Sequence, residues 1–246
     1  MIVAVSGAGG RMGSLVAQTV ADDPDLELGP LYDPRDPGAT LAGATISDDP
    51  GALAGADAVV EFTEPDVVMA NLATWRALNL HAVVGTSGFD ANRLDVLREQ
   101  WGSGPPNCLV VPNFSIGAVL MMRLSEIAAP HFAAAEVIEL HHDRKADAPS
   151  GTAIATAERI AATTSQDRAV DSAELIPGAR GADAAGVPVH AVRLPGLVAH
   201  QQVLFGGVGE TLTIRHDTTD RTAFMPGVLA AIRAVGTLPD PVTVGL

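Results

Sequence analysis

The chain has 246 residues, of which 47% are hydrophobic and 18% charged, and its formal net charge is −14. This balance is typical of folded globular domains, and the negative charge argues against binding to nucleic acid or to an anionic membrane surface. No apolar run is long enough for a transmembrane helix, and the single cysteine, Cys108, excludes an internal disulfide. Because no secretory leader pattern opens the sequence, we expect a soluble protein of the reducing cytoplasm.

A short apolar strand at residues 1–6 leads directly into a glycine-rich turn, GAGGRMG, which is followed by an apolar helical pattern. Glycine lets the backbone approach a pyrophosphate, and the N-terminus of the helix offers free N–H groups. The spacing is Gly7-x-x-Gly10-x-x-Gly13, since Met12 stands where the usual G-x-G-x-x-G pattern has its third glycine. The turn therefore predicts binding of a dinucleotide. The residues predicted to hold it are Gly7, Ala8, Gly9, Gly10, Arg11 and Met12.

A dinucleotide-binding unit of this kind places an acidic residue at the end of its second strand. Residues 26–33 read as that strand and end in Asp33, whose carboxylate can accept hydrogen bonds from an adenosine ribose. This favours NADH. Arg35 follows two residues later and Arg11 lies in the glycine turn, so either can meet the 2′-phosphate of NADPH, and both coenzymes remain open.

From residue 58 to residue 115, short apolar strands alternate with helical patterns, which predicts a mostly parallel, Rossmann-like α/β sheet. Thr63 is predicted to cap the second helix, with Pro65 in its first turn. The glycine turn 85–88 follows a strand, at a position where such sheets present ligands. The predicted strands lie at residues 58–62, 81–84 and 108–111, and the predicted helices at 63–78, 91–101 and 116–129.

After residue 135 the pattern changes to strands with one clear helix between them, which predicts a second domain of α+β type. Short glycine turns such as 206–209 indicate antiparallel hairpins, so the expected sheet is mixed or antiparallel. The predicted strands are 137–140, 187–193, 202–205 and 211–215, with a helix at 153–162, a long loop at 177–186 and a last helix at 224–235 that returns to the first domain. We expect a dinucleotide-binding domain of residues 1–114 and 217–246, and a substrate-binding and oligomerisation domain of residues 115–216.

One stretch of the second domain, Glu139–Thr152, concentrates the polar chemistry of the chain. It holds two adjacent histidines, His141 and His142, and Lys145, the only lysine among 15 cationic side chains. A Pro-Ser-Gly-Thr turn then begins a helix, whose N–H groups and two hydroxyls suit a carboxylate or phosphate. Since histidine titrates near pH ~6.5, the stretch predicts an acidic small-molecule ligand and proton transfer to it.

The same stretch has two other interpretations besides a ligand site, namely a metal site and a structural role. A metal site is disfavoured, because adjacent histidines on an extended strand point to opposite sides and Lys145 would repel the ion. A structural role remains open, in which His141 and His142 simply end a strand with satisfied hydrogen bonds.

The run from Glu139 to Ala153, ELHHDRKADAPSGTA, closely resembles the motif of the bacterial dihydrodipicolinate reductases, enzymes of lysine and diaminopimelate synthesis. The similarity extends over essentially the whole chain. It includes the opening glycine turn, Phe62-Thr63, Gly85–Phe89, Pro112–Phe114 and the segment Gly209–His216.

The resemblance implies a reductase that transfers a hydride from NADH or NADPH to C4 of a cyclic dicarboxylate, giving tetrahydrodipicolinate. It implies that His141 donates a proton with Lys145 as its acidic partner, and that the family's substrate-binding turn is Ser150, Gly151 and Thr152, together with His142. It implies a homotetramer assembled through the sheets of the second domain. The residues implied to line the nicotinamide side are Gly85, Thr86, Ser87, Val111, Pro112, Asn113 and Phe114.

Three positions depart from the family pattern. Glu61 stands where many relatives have aspartate, and Ser87 where threonine is common; both keep the chemical type. Pro34 stands where some relatives have an arginine, which leaves the coenzyme preference open. Two alternatives are retained: another two-domain dehydrogenase, acting on aspartate or its semialdehyde, and a non-catalytic NAD(H) sensor, which would not need the His-His-x-x-Lys cluster.

Overall fold

The structure is a computed structural model that describes residues 1–164 and 172–246. The chain divides into two compact units, the first formed by Met1–Ser115 with Phe224–Leu246 and the second by Ile116–Ala223. The chain returns to the first unit after Ala223, whereas the sequence predicted this return after residue 216. The difference arises because a strand of the second unit continues to Thr218.

The first unit contains an eight-stranded sheet in the order β13-β7-β6-β5-β1-β2-β4-β3. All pairings in it are parallel except that of β3 with β4. The predicted Rossmann-like α/β class is confirmed. Its strands are β1 (Ile2–Ser6), β2 (Glu27–Tyr32), β3 (Thr40–Leu41), β4 (Ala44–Ser47), β5 (Ala58–Glu61), β6 (His81–Val84), β7 (Cys108–Val110) and β13 (Val242–Val244). Its helices are α1 (Arg11–Asp22), α2 (Val68–Ala77), α3 (Ala91–Trp101) and α6 (Met225–Val235).

Both faces of this sheet are buried, as expected of parallel strands covered by helices. Successive side chains of β1 show the alternation, since Val3 and Val5 join the core beneath α1 and α6 while Ala4 joins the core beneath α2 and α3. The strands β3, β4 and β13 were not predicted, because they are short and contain threonine rather than a continuous apolar run.

The start of α2 differs from the prediction. The helix begins at Val68, and its N-cap residue, Val67, makes no side-chain cap. Thr63 is therefore not the cap, and Pro65 is not in the first turn. The hydroxyl of Thr63 donates instead to the carboxylate of Glu61, a fully buried group that needs hydrogen-bond donors.

The second unit contains a five-stranded sheet in the order β12-β11-β8-β10-β9. Only β8 and β10 are parallel, and the sheet is therefore mixed, as the sequence allowed. The strands are β8 (Ala134–His141), β9 (Ala182–Ala184), β10 (Val187–Arg193), β11 (Ala199–Gly207) and β12 (Glu210–Thr218). The helices are α4 (Ile116–Ala128) and α5 (Gly151–Thr163).

The hairpin predicted at residues 206–209 joins β11 to β12. The predicted loop 177–186 contains β9, which pairs with β10 through a turn whose residues Ala185 and Gly186 have positive φ. Helix α5 buries Ala153, Ala157 and Ile160 against the sheet. This packing fixes the N-terminus of α5 beside the end of β8.

Candidate functional site

The glycine turn after β1 has a packing reason for two of its glycines. Gly7 has a φ of +79°, and a Cβ there would collide with the carbonyl of Phe62. A Cβ on Gly13 would collide with the carbonyl of Gly7, which explains why the pattern is set by Gly13 rather than by Met12. Gly10 is the N-cap residue of α1 and supplies no side-chain cap to the first N–H groups of the helix.

Asp33 lies directly after β2 and is only 2% exposed. Its Oδ2 accepts a hydrogen bond from the N–H of Gly9 at 3.2 Å, and its Oδ1 accepts one from the N–H of Arg35 at 3.0 Å. The carboxylate thus joins the end of β2 to the glycine turn. Asp33 and Gly9 were predicted as parts of one dinucleotide site, and the structure brings them into contact.

The guanidinium of Arg35 lies between two carboxylates. Its Nε is 3.5 Å from Asp33 Oδ1, and its Nη1 is 2.5 Å from Oε1 of Glu64. The charges of Asp33 and then of Glu64 raise the pKa of Arg35 above its ordinary value. A cleft of about 220 Å³ adjoins this group. Its lining residues are Tyr32, Asp33, Pro34, Arg35, Thr63, Glu64, Val67 and Asn71.

The loops predicted to line the nicotinamide follow β6 and β7, at the carboxyl ends of neighbouring parallel strands. Gly85 admits no side chain, because a Cβ there would collide with the ring of Phe62. The rings of Phe62 and Phe114 are 5.4 Å apart. Thr86 is buried, and its hydroxyl accepts from the N–H of Thr63 at 2.9 Å, while Asn113 Oδ1 accepts from the N–H of Ser115 at 2.8 Å.

A network behind these loops was not predicted. The carboxylate of Glu61 is fully buried and accepts from Asn71 Nδ2 at 3.1 Å and from Trp75 Nε1 at 2.8 Å, besides the hydroxyl of Thr63. The hydroxyl of Thr86 donates to the backbone carbonyl of Glu61. The network therefore ties α2 to the ends of β5 and β6.

These features of the first unit fit a dinucleotide. The glycine turn has no room for a side chain at Gly7 or Gly13, the buried carboxylate of Asp33 stands at the end of β2, and a cleft lies beside that carboxylate. A pyrophosphate suits the first of these features and an adenosine ribose suits the second.

In the second unit, Glu139 and His141 lie two residues apart on β8 and therefore on the same face of the sheet. Glu139 is 0% exposed. Its Oε2 lies 2.5 Å from Nδ1 of His141, and its Oε1 accepts from the N–H of Ser150 at 3.1 Å. One buried carboxylate thus contacts both the histidine and the residue that caps α5.

Arg193, at the end of β10, completes this group. Its Nη1 donates to Glu139 Oε2 and its Nη2 to Oε1, both at 2.7 Å, and Nη2 also donates to the carbonyl of Asp147 at 2.6 Å. Arg193 lies opposite His141 in the parallel pairing of β10 with β8. Arg193 was not predicted as a site residue, because the pairing of two strands distant in the chain leaves no local signal in the sequence.

The charges in this group shift the pKa values of Glu139 and His141. Burial raises the pKa of Glu139, but hydrogen bonds from Arg193 and His141 outweigh that effect, so the pKa lies below its ordinary value. Burial lowers the pKa of His141, and the hydrogen bond to Glu139 opposes this. The charges of Lys145 and Arg193 add to the lowering, and the pKa of His141 lies below 6.5.

The ammonium of Lys145 pairs with a carboxylate of its own turn. Its Nζ donates to Oδ1 and Oδ2 of Asp147 at 2.7 and 2.9 Å, whereas the hydrogen bond of His141 goes to Glu139. The backbone N–H of Lys145 donates to the carbonyl of His142, which closes a turn after β8. Within the described part of the chain, Nδ1 of His142 is buried and has no hydrogen-bond partner.

The turn before α5 is the segment for which the sequence predicts an anion-binding site. Ser150 is the N-cap residue, and its hydroxyl accepts from the N–H of Ala153 at 3.2 Å. A Cβ on Gly151 would meet nothing within 4 Å, so the space over the start of the helix is open. Thr152 follows in the first turn. The structure thus brings an open helix N-terminus, a protonatable imidazole and an ammonium into one segment of the second unit.

Two kinds of feature are absent from residues 1–164 and 172–246. In that part of the chain, no helix is long and apolar enough to cross a membrane. The same residues contain no group of three or more histidine, cysteine or carboxylate side chains placed to hold a metal ion.

Comparisons with known sequences cover both units. The family profile described as "Dihydrodipicolinate reductase, N-terminus" matches residues 1–114, and that described as "Dihydrodipicolinate reductase, C-terminus" matches residues 117–243. The 4-hydroxy-tetrahydrodipicolinate reductase of Mycobacterium ulcerans (strain Agy99) is 48% identical over 249 residues, covering 100% of this chain and 97% of the relative. That of Thermobifida fusca (strain YX) is 50% identical over 249 residues, covering 99% and 96%.

Solved structures agree with the sequence matches. A dipicolinate-bound dihydrodipicolinate reductase from Paenisporosarcina sp. TG-14 superposes with a TM-score of 0.86 at 37% identity, covering 100% of this chain and 98% of that one. A myo-inositol dehydrogenase from Corynebacterium glutamicum ATCC 13032 shares the fold alone, with a TM-score of 0.60 at 17% identity over 98% of this chain and 91% of that one.

These matches confirm the resemblance found in the sequence and favour it over an aspartate-type dehydrogenase or a non-catalytic sensor. The chain belongs to the dihydrodipicolinate reductase family and is an NAD(P)H-dependent oxidoreductase that reduces 4-hydroxy-tetrahydrodipicolinate in lysine and diaminopimelate biosynthesis.

Proposed function

We propose that this chain carries out its family's reaction with His141 as the proton donor and with the start of α5 as the binding site for the substrate carboxylates. The observation that carries the proposal is the contact of Glu139 with both His141 and Ser150, which sets the imidazole beside an open helix N-terminus. The backbone N–H groups there suit a carboxylate without requiring a side chain.

The residues proposed to bind the cyclic dicarboxylate are those of the turn and its neighbours. Gly151 leaves the approach open, and Thr152 and His142 add polar groups, the latter through a buried ring nitrogen for which the described residues supply no partner. The Paenisporosarcina relative was solved with dipicolinate, itself an aromatic dicarboxylate. Its binding supports a dicarboxylate site in this chain.

Lys145 is proposed to exchange its contact with Asp147 for a carboxylate of the substrate. Asp147 is 56% exposed, and an ion pair of this kind contributes only about 0–1 kcal/mol. The exchange therefore has a small cost. Once the ammonium of Lys145 neutralises a substrate carboxylate, His141 protonates the substrate. The lowered pKa of His141 makes its imidazolium a stronger acid.

In the first unit, we propose that the glycine turn from Gly7 to Met12 holds the pyrophosphate and that Asp33 accepts from the adenosine ribose. Thr86 and Asn113 are proposed to shape the nicotinamide side. When bound, the reduced nicotinamide supplies the hydride that this family adds to C4 of the substrate ring. Because Asp33 favours a ribose hydroxyl over a phosphate, NADH is proposed to serve at least as well as NADPH.

The assembly is proposed to be a homotetramer of a cytoplasmic enzyme, formed through the sheet of the second unit. The edge strands β9 and β12 carry exposed residues along most of their length, and pairing between subunits would cover such edges. Light scattering on the purified protein measures this directly, and a monomeric mass would contradict it.

An NADH-oxidation assay with freshly generated substrate tests the proposed site. His142→Gln is expected to raise KM for the substrate while the KM for NADH stays unchanged. His131→Gln, on a neighbouring segment of the second unit, serves as the matched control. An unchanged KM for the substrate in the His142 variant would contradict its place in the site.

A further inference from the structure

We infer that Glu139 is a positioning residue that fixes His141 in the tautomer protonated at Nδ1, and that Arg193 holds Glu139 in place for this purpose. The inference rests on the proposed role of His141 as the proton donor and specifies which ring nitrogen exchanges the proton. It assigns that exchange to Nε2.

The carboxylate of Glu139 is surrounded by hydrogen-bond donors. Arg193 donates to each oxygen, and the N–H of Ser150 donates to Oε1. Nδ1 of His141 lies 2.5 Å from Oε2. An ionised carboxylate has only acceptor sites, so a hydrogen bond at this distance requires the proton to lie on Nδ1.

The carboxylate of Glu139 stays ionised in the folded protein. It is 0% exposed and forms a two-point ion pair with Arg193, the geometry in which guanidinium binds a carboxylate most strongly. The donor contacts of Arg193 and His141 keep the pKa of Glu139 below its ordinary value despite burial. A neutral Glu139, which could donate to His141 instead, is therefore disfavoured.

Other charged side chains besides Glu139 also lie around His141. Lys145 lies in the turn after β8, Arg193 on β10, and Asp147 lies next to both of them. The charges of Lys145 and Arg193 disfavour a positive charge on the imidazole, and Glu139 is the carboxylate that directly contacts the ring. Glu139 thus both orients the ring and stabilises the imidazolium that serves as the acid.

A purely structural role must be separated from this one, because Glu139 also joins β8, β10 and the start of α5. Glu139→Gln is the suitable change. Its side-chain oxygen, in the place of Oε1, can still accept from Ser150 and from Nη2 of Arg193. Its amide nitrogen, in the place of Oε2, would face Nδ1 of His141 and would lose the hydrogen bond from Nη1 of Arg193. The ring is then expected to move its proton to Nε2.

The tautomer is measured by long-range ¹H–¹⁵N NMR on histidine-labelled protein, with His141→Gln identifying the resonance. We expect neutral His141 to be protonated at Nδ1 in the wild type and at Nε2 in Glu139→Gln. This readout does not depend on activity. If the wild-type ring is protonated at Nε2, or if the tautomer is the same in both proteins, the inference is wrong.

Kinetics supply the second readout. Glu139→Gln is expected to lower kcat by about tenfold or more, up to the ~10²–10⁴-fold that general acid catalysis contributes, and to leave the KM for NADH unchanged. The basic limb of the kcat–pH profile is expected to move to lower pH, because the carboxylate no longer stabilises the imidazolium. In a protein that already carries His141→Gln, adding Glu139→Gln is expected to cause no further fall in kcat.

Glu136→Gln provides the matched control. Glu136 lies on the same strand and forms the same kind of cluster with Arg180 and His190, away from His141. It is expected to leave the His141 tautomer unchanged. If Glu139→Gln lowers kcat equally with and without His141, Glu139 has only a structural role. If His141→Gln itself keeps full activity, the proposed proton donor is wrong, whereas the NMR result still decides the tautomer.

Discussion

Nζ of Lys145 lies 2.7 Å from Oδ1 of Asp147, and the only lysine of the chain is thereby held at the edge of the proposed substrate site. Lys145 is 23% exposed in this pair and Asp147 is 56% exposed. The pair keeps the ammonium close to the turn before α5 while leaving it free to exchange partners.

Lys145→Arg is expected to lose nearly as much activity as Lys145→Ala. A guanidinium can keep the contact with Asp147 bidentate, and it cannot present the compact charge that a substrate carboxylate meets in this turn. The measurement is kcat/KM for the substrate in both variants, with Arg98→Lys on the exposed face of α3 as the control. Near-normal turnover by the arginine variant would show that positive charge alone is sufficient.

Glu64→Gln is expected to shift the coenzyme preference toward NADPH. Glu64 holds Nη1 of Arg35 at 2.5 Å, and removing its charge frees the guanidinium to meet a 2′-phosphate. An exposed pair of this strength allows a change of up to about fivefold in the ratio of kcat/KM for NADPH to that for NADH. Asp66→Asn removes the same charge from the same loop without touching Arg35, and an equal shift in that variant would contradict the role of Glu64.

Glu61→Leu is expected to destabilise the first unit by about 2–5 kcal/mol, because it leaves the buried donors of Trp75, Asn71 and Thr63 without their acceptor. Glu61→Asp, which keeps the carboxylate, is expected to lose less. Calorimetric unfolding of both variants measures this. A leucine variant as stable as the wild type would show that the network around Glu61 contributes nothing.

The stability of the protein is expected to fall as the pH falls below the ordinary glutamate pKa of 4.5. The pKa of Glu139 is lower in the folded chain, so its contribution is complete above 4.5 and is lost as the pH falls through the lowered value. Urea unfolding as a function of pH measures the slope. In Glu139→Gln the slope should be smaller, and an unchanged slope would exclude Glu139 as a contributor.

The first unit was predictable from local patterns. A strand, a glycine turn and a helix follow one another within residues 1–22, and Asp33 falls at the end of the next strand. Spacing alone sufficed here because each contact joins neighbouring elements. Thr63 was misassigned for the opposite reason: its hydroxyl satisfies the buried carboxylate of Glu61, and that demand comes from tertiary burial, which propensity does not record.

In the second unit, too, some site residues were predictable from the sequence and others were not. The cluster of His141, Lys145 and Ser150 was visible as a sequence motif, and the i, i+2 spacing of Glu139 and His141 on a strand could have revealed their contact. Arg193 could not be found in this way. It reaches Glu139 only because β10 runs parallel to β8 after a helical crossover, a pairing decided by the packing of α5 on the sheet.

His141 is proposed to donate the proton in the reduction of 4-hydroxy-tetrahydrodipicolinate. The most direct measurement is kcat of His141→Gln with saturating NADH and freshly generated substrate. We predict a fall of about 10²–10⁴-fold, with the KM for NADH unchanged, since the first unit is untouched. A kcat within about twofold of the wild type, far outside the range of general acid catalysis, would contradict the claim.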